Sequence, residues 1–254
     1  MGSPGTKPAI LLIRGLGETP AIWNGWATRY KNAGHEVLAP TWPAIDADVQ
    51  GTRNIPTLLI GLPLETIIDH YVRVVRHHQN PPILMGHSFG GLIVQHLADR
   101  GLGAASVVID ARSTRSPAGG FSKVGSKVAA LRVPTGARIL WSGALSLLKS
   151  RVEHSVRERG PLLFIADGEA RLVTPAVNRA EVRKYAGAMA ITGYLEFAQR
   201  DRNTLSHAGW EQVADFALSW ALGNARDAMT FDDVKAALSP SRVLTESREH
   251  EARM

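Results

Sequence analysis

Short apolar runs alternate with longer amphipathic segments along this chain. The runs AILLIR (9–14), HEVLAP (35–40), PILMG (82–86), ASVVID (105–110), PLLFIA (161–166) and AITGYLEF (190–197) read as strands. Between and after them, AIWNGWATRYKNAG (21–34), LETIIDHYVRVVRHH (64–78), GLIVQHLADRG (91–101), AVNRAEVRKYA (176–186) and GWEQVADFALSWALG (209–223) read as helices. Strands that are apolar throughout, each followed by a helix, are the pattern of βαβ units and of a mostly parallel sheet covered on both faces. The pattern predicts an α/β fold of about six strands.

Two stretches break the rhythm. Residues 41–62 are too long for an ordinary connection and are expected to wrap over a cleft. Residues 112–160 are rich in Gly, Ser and Arg around the apolar ARILWSGALSLL, and are expected to form a short cap or lid insertion. Beyond residue 222, Thr230 and Asp233 form a capping-box pattern that opens a short helix, which Pro240 would end. The charged remainder reads as a mobile tail. The expected organisation is therefore a main domain over 8–222, with the cap at 112–160, and a C-terminal helix and tail over 223–254.

At 254 residues the chain is long enough for one large core, and its 44% hydrophobic content supports one. No apolar run reaches the roughly 18 residues of a membrane span, and MGSPGTKPAI lacks the apolar segment of a secretory signal, so a cytoplasmic location is expected. The absence of cysteine excludes disulfides, thiol nucleophiles and Cys-containing zinc sites. A net charge of +6 raises the question of nucleic acid. Acidic residues interleave with the basic ones, as in SRVEHSVRERG and RAEVRKY, and no basic stripe with stacking aromatics appears, so none is expected. No His, Asp and Glu spacing points to a metal.

The chemistry gathers at PPILMGHSFGG (81–91), where Gly86-His87-Ser88-Phe89-Gly90 matches the G-x-S-x-G nucleophile elbow. A strand-to-helix turn this sharp needs small neighbours two positions either side of the serine, which Gly86 and Gly90 supply. It lifts the Ser88 hydroxyl above the sheet edge and aims the Phe89 amide at a developing oxyanion.

Together with RGLGETP after the first strand, PLLFIADGEARLVTP and GWEQVADFALSWA, this motif makes the chain resemble the α/β-hydrolase superfamily, in particular its cap-bearing bacterial esterase and lipase-like members. The resemblance runs from about residue 8 to 222. It implies a Ser, acid, His triad in that chain order, with Ser88 as nucleophile, the Leu16 amide as second oxyanion donor and no cofactor. Three positions depart from the pattern. Arg14 stands where the family has a histidine before the oxyanion glycine; its planar fork suits a carboxylate, and a surface strand-end arginine explains it equally. Ala170 stands at the acid position, leaving Asp167, Glu169 or Asp110 as replacements. Arg202 stands at the histidine position, and an arginine stays protonated and cannot take the serine proton.

His207, five residues further on, is the candidate base, with Asp167 as its partner. His87 and Trp42 join Arg14 and Arg202 as candidate pocket residues, and Trp42 with ILWSGALSLL suggests an apolar wall for a small acyl or lactone-like substrate. The expected function is serine hydrolysis of a carboxylic ester or lactone through a rearranged triad. The alternative is a diverged lyase, cyclase, decarboxylase or ligand-binding protein that has kept the pocket and lost the triad.

Overall fold

The computed structural model describes residues 7–15, 18, 20–43, 63–111, 152, 159–168, 174–197 and 204–225. Six strands, β1 (Ile10–Ile13), β2 (Val37–Leu38), β3 (Ile83–His87), β4 (Ala105–Ile109), β5 (Leu162–Asp167) and β6 (Thr192–Phe197), form one sheet in the order β2-β1-β3-β4-β5-β6. All five pairings are parallel. Five α-helices accompany them: α1 (Asn24–Asn32), entered by a 3₁₀ turn over Pro20–Trp23, α2 (Leu64–Arg76), α3 (Phe89–Asp99), α4 (Pro175–Arg183) and α5 (Trp210–Asn224). Every strand and helix expected from the hydrophobic pattern is present. Most of the expected cap, the 41–62 wrap beyond residue 43 and the C-terminal helix and tail lie outside the described residues.

The alternation of strand side chains divides the core in two. Leu11, Ile13, Leu84, Val108, Leu162 and Phe164 face Ile67, Ile68, Tyr71 and Val75 of α2 and Ile93, Val94 and Leu97 of α3. Ile10, Leu12, Ile83, Met85, Val107, Ile109, Leu163 and Ile165 face Trp23, Trp26 and Tyr30 near α1 and Val213, Ala214, Ala217 and Ala221 of α5. Apolar side chains on both faces explain why β1, β3, β4 and β5 read as continuous runs. HEVLAP yields only two paired residues because β2 is an edge strand and is followed by Pro40, which has no N–H for a ladder.

Parallel strands all end at the same edge of the sheet. The ends of β1, β3, β4 and β5 therefore bring Arg14, Ser88, Asp110 and Asp167 to one crevice, the place where open α/β sheets bind ligands.

Candidate active site

Ser88 sits between β3 and α3 with φ 54° and ψ −114°, a conformation few non-glycine residues adopt. Its surroundings hold it there. The Ser88 N–H donates to Ile109 O at 2.9 Å, and Ser88 O accepts from Gly91 N–H at 3.1 Å. A Cβ on Gly86 would collide with Gly90 O and come within 2.7 Å of Val94 Cγ2; one on Gly90 would collide with Ile13 O and come within 2.7 Å of Arg14 O. These two glycines let the helix start press against β3 and against the end of β1. The serine side chain is left half-buried.

Phe89 begins α3, so its N–H has no helical acceptor and is available beside the serine. Its ring is buried against Trp42, with centroids 5.3 Å apart. Leu16, the other expected oxyanion amide, lies outside the described residues, as do Glu169, Ala170 and Arg202.

The loop after β1 is tied to the elbow by Glu18. Its Oε2 accepts from Gly15 N–H at 2.6 Å, its Oε1 lies 2.7 Å from His87 Nδ1, and its carbonyl accepts from Arg14 Nη1. His87 is thereby fixed beside Ser88, with its Nε2 4.0 Å from Asp110 Oδ2. Arg14 is 2% exposed and its Cζ lies 5.6 Å from the centroid of the Trp42 ring. Burial lowers its pKa, but a guanidinium stays charged at neutral pH.

Asp110 directly follows β4 with φ 47°. Both carboxylate oxygens are engaged: Oδ1 accepts from the Asp167 N–H at 2.7 Å and Oδ2 from the Thr204 hydroxyl at 2.6 Å. Burial pushes the Asp110 carboxyl above the usual carboxylate range, against the pull of those two donors and of His87. Asp167 is itself buried, and belongs to β5 rather than to a loop, paired in register with Phe197 of β6.

His207 lies on the turn before α5, exposed, with its carbonyl accepting from Trp210 N–H at 2.9 Å. Thr204, Leu205 and Asp110 meet in the interior, where Leu205 O also accepts from Trp26 Nε1 at 3.1 Å. The chain therefore brings Ser88, Phe89, His87, Asp110 and Asp167 to one edge of the sheet and Arg14 and Trp42 beside them, while His207 is exposed on the turn before α5. Glu18 and Thr204 were not singled out from the sequence. Glu18 lies in the RGLGETP segment, but nothing local links it to a histidine 69 residues away.

Among the described residues no group of three His, Asp or Glu side chains is placed to hold a metal ion, and no helix is long and apolar enough to cross a membrane.

A six-stranded parallel sheet with a strained serine on a strand-to-helix elbow defines the class: an α/β fold that presents a serine at its carboxyl edge. The Alpha/beta hydrolase family profile matches residues 10–250, and the chain belongs to that family. A comparison with curated protein sequences gives no match. Among solved structures, the chain is similar to a monoacylglycerol lipase of Paleococcus ferrophilus, with 15% identity and a TM-score of 0.59 over 85% of this chain and 94% of that one. It is also similar to a putative non-heme bromoperoxidase, BpoC, of Mycobacterium tuberculosis H37Rv, with 15% identity and a TM-score of 0.64 over 87% and 94%. The type II thioesterase BorB of the borrelidin biosynthetic cluster gives 20% identity and a TM-score of 0.61 over 86% and 94%. At these identities the likeness concerns the fold.

Proposed function

We propose that the protein is a serine hydrolase of carboxylic esters or lactones, with Ser88 as its nucleophile. The observation that carries this reading is the Ser88 backbone, held at φ 54° by two glycines that have no room for a side chain. A strained conformation over-determined by its surroundings is the mark of a functional position. Ser88 Oγ attacks the carbonyl carbon, and the amides of Phe89 and Leu16 receive the charge that develops on its oxygen. His207 takes the serine proton and passes it to the departing alkoxide. Asp167 or Asp110 orients it. Water then releases the acyl group from Ser88 by the same steps in reverse.

One bond favours a second reading, a family member that has given up triad hydrolysis for lyase, cyclase, decarboxylase or binding activity. The Thr204 hydroxyl holds Asp110 Oδ2, a position in which a triad acid would receive an imidazole N–H, and His207 is exposed.

A fluorophosphonate probe separates the two. The first reading expects Ser88 to be labelled and ester turnover to fall by about 10⁴-fold in both Ser88→Ala and His207→Ala. A folded protein that neither labels nor hydrolyses simple esters establishes the second.

A further inference from the structure

The His87 ring is held between two carboxyl groups. Its Nδ1 lies 2.7 Å from Glu18 Oε1 and its Nε2 4.0 Å from Asp110 Oδ2. The side chain of His87 is 14% exposed, that of Glu18 20% and that of Asp110 12%, so water screens the three groups from one another only in part.

Hydrogen bonding bears on the form of the ring. An ionised carboxylate has acceptors and no donor, so the Glu18 contact places a hydrogen on Nδ1. A neutral ring would then turn the bare lone pair of Nε2 towards Asp110 Oδ2, lone pair against lone pair. A ring with an N–H at both nitrogens meets an oxygen at each end, and such a ring is a cation.

Asp110 is the group that gains from it. Two neutral donors, the Asp167 N–H and the Thr204 hydroxyl, occupy its oxygens, which suits the ionised carboxylate. Burial and the neighbouring Asp167 carboxylate oppose that form, and His87 favours it. Among the described residues, His87 at the end of β3 is the basic side chain within ion-pair distance of Asp110; β5 brings Asp167 and the turn before α5 brings Thr204. On the other side of the ring, the loop after β1 contributes Glu18, whose carbonyl accepts from the Arg14 guanidinium.

We propose that His87 is a positioning residue: clamped by Glu18 as an imidazolium, it keeps Asp110 ionised at the edge of the sheet where Ser88 stands. An ionised carboxylate is what orients a catalytic imidazole, so this part of the role rests on the serine-hydrolase reading with Asp110 as its acid. The coupling of His87 to Asp110 does not rest on it.

NMR of protein labelled with carbon-13 at the aspartate carboxyls follows Asp110, whose signal is assigned by its loss in Asp110→Asn. His87→Gln offers Glu18 an amide in place of the ring and carries no charge. In that variant the Asp110 midpoint is expected to rise by about one pH unit or more, about tenfold in proton affinity. If His87→Gln fails to fold, the comparison runs in the other direction. Coupling between two sites is reciprocal, so the titration midpoint of the His87 ring must fall by a like amount in Asp110→Asn. Kinetics test the role itself. The acid limb of kcat/KM is expected to move up in His87→Gln along with the Asp110 midpoint, whereas a residue that served the fold alone would lower the plateau and leave the limb in place.

An Asp110 midpoint that stays put in a folded His87→Gln, or a His87 midpoint indifferent to Asp110→Asn, overturns the coupling. An Asp110 midpoint that moves while the acid limb does not overturns the positioning role. Coupled midpoints in a protein that hydrolyses no ester uphold the coupling and remove the hydrolase reading. Ser88-dependent hydrolysis with uncoupled midpoints does the reverse.

Discussion

The Thr204 hydroxyl donates to Asp110 Oδ2 at 2.6 Å, joining the turn before α5 to the end of β4. Both residues are buried, so the bond has no water to replace it. Thr204→Val keeps the shape of the side chain and leaves a buried carboxylate oxygen without its donor. The variant is expected to be less stable than the wild type by about 1–3 kcal/mol, read as a lower denaturant midpoint at unchanged m-value.

Asp110 should also make the protein respond to pH in the sense opposite to most carboxylates. Its folded pKa is raised above the ordinary 3.8 by burial, so between the unfolded and folded values the native state binds more proton than the unfolded chain. Stability from this group is fully present below the unfolded pKa and is lost as pH rises through the folded one. Asp110→Asn removes the titration. Its stability relative to wild type should therefore climb as pH is raised from about 4, and urea titrations of the two proteins across the acid range measure it. A constant difference would mean that Asp110 titrates alike in both states.

The elbow makes two opposite forecasts for neighbouring positions. Gly90→Ala drives a methyl group into the Ile13 carbonyl, which belongs to the sheet and cannot move aside. A cost of about 3 kcal/mol or more is expected, with poor recovery of folded protein. Ser88→Gly removes a side chain from a positive-φ position that costs about 1–3 kcal/mol to hold, part of which glycine returns through its freer unfolded chain. A net gain of about 1 kcal/mol is expected, a rise of roughly 2–4 °C in Tm, together with loss of Ser88 chemistry.

What could be read from the sequence follows from where each signal is stored. Strands buried on both faces must be apolar at every position, so β1, β3, β4 and β5 are written in contiguous runs. The elbow is likewise local, because Gly86, Ser88 and Gly90 are fixed by contacts within one turn and with the adjacent strand. The polar network is not. Glu18 with His87 spans 69 residues and Asp110 with Thr204 spans 94, and each pair exists only because parallel strands end at a common edge. The same topology explains why Asp110, at the end of the strand next to β3, comes within 4.0 Å of His87, although the family spacing pointed to the segment after β5. Arg14 reads in sequence as either a surface residue or a ligand-binding one. Its 2% exposure removes the surface reading.

Glu18 tests whether that network serves the reaction or only the fold. Its carboxylate holds two things at once, the Gly15 amide at the start of the loop after β1 and the His87 ring beside Ser88. If the proposed oxyanion amides sit on this loop, displacing it by about 1 Å can cost on the order of 10²-fold in rate, because the donors no longer meet the developing charge. Glu18→Ala releases both contacts and should lower kcat by roughly 10- to 100-fold with a smaller effect on KM. Glu18→Gln keeps an acceptor for Gly15 N–H and should recover part of that loss. If Glu18 served stability alone, Glu18→Ala would lower Tm while kcat per folded molecule stayed at the wild-type value, and Glu18→Gln would rescue nothing in the steady-state rates.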